Sequence, residues 1–204
     1  MFSGIIEAVA PVQKIQIFDG AVRIHVKKPG IFNDLKIGDS IAVNGICLTV
    51  ESFDEQEITF ALAAETLQVL GLKPTAGFDQ QVGQNLNLER SLRFGDRIHG
   101  HLVSGHVDSM GMVVGRKQVG ESLFLEIEVK DSILPFVWKK GSITFNGTSL
   151  TVNSVEGHVI SVCLIPETQK RTNLSILQVG DRVTVEPDYM AKVAVMAMRK
   201  GMEL

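Results

Sequence analysis

The chain is written twice. SIAVNGICLTV at residues 40–50 returns as SITFNGTSLTV at residues 142–152, an offset of 102. Seven of those 11 positions are identical: Ser40, Ile41, Asn44, Gly45, Leu48, Thr49 and Val50 match Ser142, Ile143, Asn146, Gly147, Leu150, Thr151 and Val152. The same offset carries Ser52 to Ser154, Ile58 to Ile160, Leu62 to Leu164, Glu65 to Glu167 and Thr66 to Thr168, making 12 identities in 27 ungapped positions. GIIEAVAPV from Gly4 is similar to GHVDSMGMV from Gly105 at offset 101, and VGQNLNLE from Val82 to VGDRVTVE from Val179 at offset 97. The fall from 102 to 97 puts about five extra residues in the last loop of the first half, near KPTAGFDQQ, whose Pro, Gly and Asp mark an exposed insertion. A unit of roughly 100 residues is too long for a solenoid repeat. It reads as a duplicated domain, with residues 1–97 and 98–188 forming two cores related by a pseudo-twofold axis and residues 189–204 forming a tail.

Within each half, apolar residues alternate with polar ones. Val22, Ile24 and Val26 share one face against Arg23, His25 and Lys27, and SLFLEIEVK repeats the pattern with Leu123, Leu125, Ile127 and Val129. Short strands separated by Gly, Asn and Asp turns predict a small antiparallel barrel or sandwich per half. The tail YMAKVAVMAMRK follows Pro187 and Asp188, with Tyr189, Val193 and Met196 on one helical face. It predicts a helix whose apolar stripe packs on another subunit.

Composition excludes several classes. Lys and Arg number 20 against 23 Asp and Glu, a formal charge of -3, so nothing marks a nucleic-acid or anionic-membrane surface. Cys47 and Cys163 are too few for a disulfide framework, and the trio His99, His101 and His106 lacks companions for a metal set, so no metal is expected. MFSGIIEAVA has no basic start and carries Glu7, unlike a signal peptide. No run of about 18 apolar residues occurs. The expected location is cytoplasmic.

The duplicated strand carries the chemistry. Ile46, Leu48 and Val50 share one face and Cys47 and Thr49 the other; in the second copy Thr148, Leu150 and Val152 oppose Ser149 and Thr151. Small polar groups on an outer sheet face make a shelf on which a flat molecule can lie, against the plainer reading of β-propensity alone. Appearing in both copies beside an Asn-Gly turn, they predict two similar ligand sites per chain. Glu65-Thr66 and Glu167-Thr168 are either caps or polar borders of those shelves. The second half adds Lys140, His106 and Ser149 where the first has Gly38, Ile5 and Cys47.

MFSGIIE, GDSIAVNGICLTV, GHLVSGHVD, KGSITFNGTSLTVN, LIPETQKRT and VGDRVTVEPDYMAK together resemble the riboflavin synthase family of alpha-chain type, over essentially residues 1–195. The resemblance implies an all-β fold of two homologous six-stranded antiparallel Greek-key barrels in tandem plus a C-terminal α-helix, assembled as a homotrimer through those helices. It implies dismutation of two 6,7-dimethyl-8-ribityllumazine molecules, with no metal or other cofactor, to riboflavin and 5-amino-6-ribitylaminouracil. It leaves association with lumazine synthase open. Carried over, Gly4, Ile5, Ile6, Cys47, Leu48, Thr49, Ala61, Leu62, Ala63, Ala64, Glu65 and Thr66 would line the first barrel's site. Gly105, His106, Val107, Lys140, Ser149, Leu150, Thr151, Ile165, Pro166, Glu167 and Thr168 would line the second. Phe2 matches an aromatic that closes the site. Ser40, Cys47, His106, Ser149, Thr151 and Asp188 match positions implicated in catalysis, with Cys47 acting beside Ser40 and Ser149 beside His106.

The chain departs from the family at Asn146, where Asp is usual, and at His99 in His99-Gly100-His101, where Gly is usual. A rival reading is a non-catalytic lumazine- or flavin-binding paralogue; retention of Lys140, His106, Ser149 and Thr151 favours the enzyme. An oligonucleotide-binding barrel would need more exposed aromatics than Trp138 and Tyr189 and a basic groove.

Overall fold

The computed structural model describes residues 1–18, 21–72 and 81–202. Most of the predicted insertion KPTAGFDQQ lies outside the described residues. Strands β1 (Ala8–Phe18), β2 (Ala21–Lys27), β3 (Ser40–Val43), β4 (Ile46–Phe53), β5 (Glu57–Leu62) and β6 (Asn85–Arg90) close into one antiparallel barrel in the order β1-β2-β5-β4-β3-β6. Strands β7 (Ser109–Val119), β8 (Ser122–Glu128), β9 (Ser142–Phe145), β10 (Thr148–Glu156), β11 (Val159–Leu164) and β12 (Arg182–Pro187) close a second barrel with the same connectivity. Closure removes the free sheet edges that a six-stranded open sheet would expose.

The repeat extends to the irregularities. The register shifts between Val12 and Lys14 and between Val50 and Ser52 in the first barrel, and at the equivalent Val113/Gly115 and Val152/Ser154 in the second. Such bulges bend a strand enough to close a small barrel. Each barrel has its own core: Val22, Ile24, Val26, Ile58 and Phe60 in one, Leu123, Leu125, Ile127, Ile160 and Val162 in the other, as the alternation predicts. His25, on the face of β2 opposite Val22, Ile24 and Val26, is nevertheless buried, with Glu57, Gln16 and Thr59 all reaching its ring.

The barrels meet at the two Asn-Gly turns. Asn44 and Asn146 both sit at φ 45, in the left-handed region that Asn tolerates. Asn44 Oδ1 accepts from the Asn87 amide and from Asn173 Nδ2; Asn146 Oδ1 accepts from the Thr184 amide, and its Nδ2 donates to Asn173 Oδ1. Asn87 Nδ2 in turn donates to the Asn146 carbonyl. Asn87, Asn146, Asn173 and Thr184 of this network are buried and Asn44 is half-buried, and their mutual hydrogen bonds fix the relative setting of the barrels.

Short helices α1 (Ala64–Leu70) and α2 (Pro166–Arg171) follow β5 and β11, so Glu65-Thr66 and Glu167-Thr168 are first-turn residues of equivalent helices. Helix α3 (Tyr189–Met202) ends the described chain. Asp188 Oδ1 accepts from the Met190 amide at its start, and Lys192 pairs with Asp108. Ala191 is buried against the second barrel, while Tyr189, Met190, Val193, Met196 and Met198 are exposed. Among the described residues no helix is long and apolar enough to cross a membrane.

Candidate functional site

Sheet register puts Ala42 beside Cys47 and Ser40 beside Thr49 in the first barrel, and Thr144 beside Ser149 and Ser142 beside Thr151 in the second. Leu48, Val50, Leu150 and Val152 point into the cores, and the small polar residues face outward. The shelves are therefore built as the alternation predicts. They are not bare, however.

Residues 2–6 and 103–107 cross between the barrels. Phe2 and Val103 exchange backbone hydrogen bonds of 2.8 and 3.1 Å. Beyond that bridge, the Ser149 amide donates to the Gly4 carbonyl and the Cys47 amide donates to the Gly105 carbonyl, each at 2.8 Å. Gly4 (φ 74) and Gly105 (φ 81) take conformations open to glycine, and a Cβ on either would lie 2.6 Å from the Cβ of Ser149 or Cys47. The assignment of Gly4, Ile5 and Ile6 to the first shelf, and of Gly105, His106 and Val107 to the second, is thus corrected: each segment covers the shelf of the other barrel.

The first shelf opens as a cleft of about 320 Å³ lined by Ile46, Cys47, Glu65, Thr66, Val69, Gly105, His106 and Val107. His106 stands beside Cys47, not beside Ser149. Ser149 has a different histidine. Its Oγ lies 2.7 Å from His101 Nδ1, and Thr144 Oγ1 lies 3.2 Å from His101 Nε2. Burial pushes the His101 pKa down, opposed by the charge of Asp188. Burial therefore favours the neutral imidazole over the charged one. One shelf thus has a serine hydrogen-bonded to a histidine, and the other a cysteine that shares its cleft with a histidine.

His101 escaped the repeat alignment because, at offset 101, its partner would precede Met1. The available signal was the His99-Gly100-His101 cluster itself. Gly100 is fixed by space: a Cβ there would meet the Ser3 carbonyl oxygen at 2.1 Å and Ser149 Cβ at 2.7 Å. His99, the family departure, is exposed.

The remaining predicted residues divide. Phe2 is fully buried against Ala42, Val103 and Cys47, so it supports the floor of the first shelf. Ser40 lines a separate cleft of about 510 Å³ with Glu7, Asp34, Arg90 and Arg93. Those charges are already committed to one another, Arg90 to Glu7 and Asp34 at 2.6 Å each and Arg93 to Asp34. Ala61, Ala63, Ala64, Ile165, Pro166 and Glu167 are exposed around the first turns of α1 and α2, with Thr66 and Thr168 half-buried and Leu62 buried. Glu167 pairs with Arg171, which lowers its pKa. Thr151 and Lys140 are exposed; Lys140 sits at φ 72 where Gly38 has φ 92, and their amides donate to Val152 and Val50. Asn146, at the other family departure, belongs to the inter-barrel network and to neither shelf.

The lumazine binding domain matches this chain twice, over residues 3–91 and 104–188. Riboflavin synthase of Chlamydia muridarum is 38% identical over 96% of this chain and 93% of its own length. The Schizosaccharomyces pombe enzyme is 37% identical over 94% and 91%, and that of Bacillus subtilis 32% over 100% and 92%. Among solved structures, LumP complexed with riboflavin has a TM-score of 0.79 at 23% identity, covering 92% of this chain and 99% of that one, and so shares the fold. Doubled barrels, paired shelves and full-length identity above 30% agree: the chain belongs to the riboflavin synthase family.

Proposed function

We propose that this chain forms riboflavin by dismutation of two 6,7-dimethyl-8-ribityllumazine molecules, releasing 5-amino-6-ribitylaminouracil. The observation that carries the reading is the doubling of the shelf: one fold, repeated, gives two sites of common geometry but different polar equipment. A reaction between two copies of one planar molecule needs that arrangement. Its main barrier is bringing the pair together in the correct orientation, and holding one copy on each shelf supplies it. Two substrates and two products balance in atoms and electrons, so the four-carbon transfer is a transferase reaction needing no external oxidant or group donor.

The chemical steps are removal of a proton from the acidic 7-methyl group of one lumazine and addition of a nucleophile at the ring carbon bearing that methyl on another. With Nε2–H of neutral His101 donating to Thr144, its Nδ1 is left to accept the Ser149 hydroxyl proton, which makes Ser149 Oγ the stronger nucleophile or base. Cys47, with His106, Glu65 and Thr66 in the same cleft, plays the corresponding part for the second lumazine. Thr151, Lys140 and Asp188 belong to the outer part of the Ser149 shelf, and the first-turn residues of α1 and α2 offer partners to the ribityl chains. The exposed stripe Tyr189, Val193 and Met196 supports assembly as a homotrimer in which shelves of neighbouring protomers face each other. A cytoplasmic location and an encounter with lumazine synthase, which makes the substrate, accompany this reading. The test is to add 6,7-dimethyl-8-ribityllumazine to purified protein and assay riboflavin. Time-dependent riboflavin formation in the absence of any other reagent is expected; unchanged lumazine would overturn the assignment.

A further inference from the structure

Glu89 and Glu186 are buried carboxylates without a role in the mechanism above. Each stands next to a shelf residue in the sheet, Glu89 beside Ala42 and Glu186 beside Thr144. Glu89 Oε1 accepts from the Ser3 amide at 2.7 Å and the Ser3 hydroxyl at 2.8 Å, and its Oε2 accepts from the Gly4 amide at 3.0 Å. Glu186 repeats this with the Ser104 amide and hydroxyl, both at 2.7 Å, and the Gly105 amide at 3.1 Å. The two residues are 3% and 2% exposed. Burial pushes both pKa values up against these donors. A buried anion held chiefly by amide and hydroxyl donors is a costly way to stabilise a loop, and the device occurs in both halves.

The carbonyls of the same two glycines point the other way. Gly4 accepts from Ser149 and Gly105 from Cys47, in both cases a residue of the opposite barrel. We infer that Glu89 and Glu186 are positioning residues that act in trans: Glu89, in the first barrel, sets the wall of the Ser149 shelf, and Glu186, in the second, sets the wall of the Cys47 shelf. Each carboxylate clamps the amide side of a glycine whose carbonyl is the contact with the other barrel's shelf strand. The stretches Gly4-Ile5-Ile6 and Gly105-His106-Val107 are fixed at that point. Two backbone amides, which can only donate, reach the two different oxygens of each carboxylate, so both oxygens must accept. Glutamine would keep the Ser3 or Ser104 pair and turn an NH₂ toward the glycine amide, releasing that glycine. The two lumazine sites are thereby each completed by the other barrel. This inference rests on the proposed function for its ligand and on the hydrogen bonds alone for its geometry.

The test uses Glu89→Gln and Glu186→Gln in the full chain, with Ser3→Ala and Ser104→Ala as milder variants that remove one donor and keep the carboxylate. In the free protein, amide hydrogen exchange is followed at Cys47 and Ser149. Glu89→Gln is expected to speed exchange at Ser149 by about tenfold and leave Cys47 unchanged, and Glu186→Gln to do the reverse, with the serine variants following the same pattern more weakly. In titration with 6,7-dimethyl-8-ribityllumazine, Glu89→Gln weakens the binding event that shifts the Ser149 amide by about tenfold and spares the one that shifts Cys47. An effect confined to the variant's own barrel, or equal at both amides, overturns the inference. A wild-type protein that ignores lumazine overturns the proposed function, while the exchange pattern still decides the positioning role.

Discussion

Gly45 and Gly147 meet back to back where the two barrels join. A Cβ on Gly45 would lie 2.7 Å from the Gly147 backbone nitrogen, and one on Gly147 would lie 2.6 Å from that of Gly45. Both glycines have positive φ, 81 and 76. Either substitution to Ala therefore meets backbone strain and a collision that no rotamer relieves. Gly45→Ala and Gly147→Ala should each lower the unfolding free energy by about 2–4 kcal/mol in urea titrations. A loss below about 0.5 kcal/mol would show that the barrels are not in contact at these turns.

Ser149 and His101 act as a pair in the proposed chemistry. Ser149→Ala should reduce kcat for riboflavin formation on the order of 100-fold, the usual worth of a positioned acid–base group. His101→Gln should do nearly the same, and the double variant should be little worse than either single, since the two groups work together. Gly100→Ala should also lose activity, because the new methyl group displaces the loop from Ser3 and Ser149. Wild-type rates in these variants would remove the pair from the mechanism, and wild-type rates in Cys47→Ala and His106→Ala would do the same for the other shelf.

His101 also predicts a pH dependence. Its folded pKa lies below the ordinary value of 6.5, with burial the larger cause and Asp188 opposing it. Between the lowered folded value and 6.5 the unfolded chain binds the proton more readily, so stability falls as pH drops through that window and is level above it. The buried Glu89 and Glu186, with raised pKa values, carry the opposite slope above 4.5. The comparison that isolates His101 is the unfolding free energy of wild type minus that of His101→Gln. It should rise with pH below 6.5 and flatten above it; a difference that falls with rising pH would contradict a neutral, buried His101.

How much of this was legible in the sequence depended on what a repeat can say. The offset of 102 established two equivalent barrels, their strands and the outward Cys47 and Ser149, because hydrophobic period and turn residues are local signals. The crossing was not legible. Equivalence of Gly4 and Gly105 fixes what each resembles, and leaves open which shelf strand each pairs with; only packing around the Phe2–Val103 bridge decides that. His101 was hidden for a related reason: it lies in the link between repeats, with no counterpart to align. Asn146 stood out in the sequence only as a departure from the family pattern; that its side chain and carbonyl join Asn173, Thr184 and Asn87 in the inter-barrel network is a matter of packing.

That network makes position 146 specific for an amide. Asn146 Nδ2 donates to Asn173 Oδ1 at 3.2 Å, and the residue is 4% exposed. Asn146→Asp would set a buried carboxylate against that oxygen and should cost about 1–3 kcal/mol of stability at neutral pH. Activity per folded molecule should stay close to wild type, since Asn146 lines neither shelf. Loss of turnover without loss of stability would place Asn146 in the chemistry instead.

The central claim is that duplication of one barrel provides two lumazine sites in every chain, and it is tested most directly by counting them. Equilibrium titration with a non-reacting analogue of 6,7-dimethyl-8-ribityllumazine, followed by calorimetry, should saturate at two equivalents per chain, with Ser149→Ala weakening one class and Cys47→Ala the other. Saturation at a single equivalent, with one of the two substitutions silent, would contradict it.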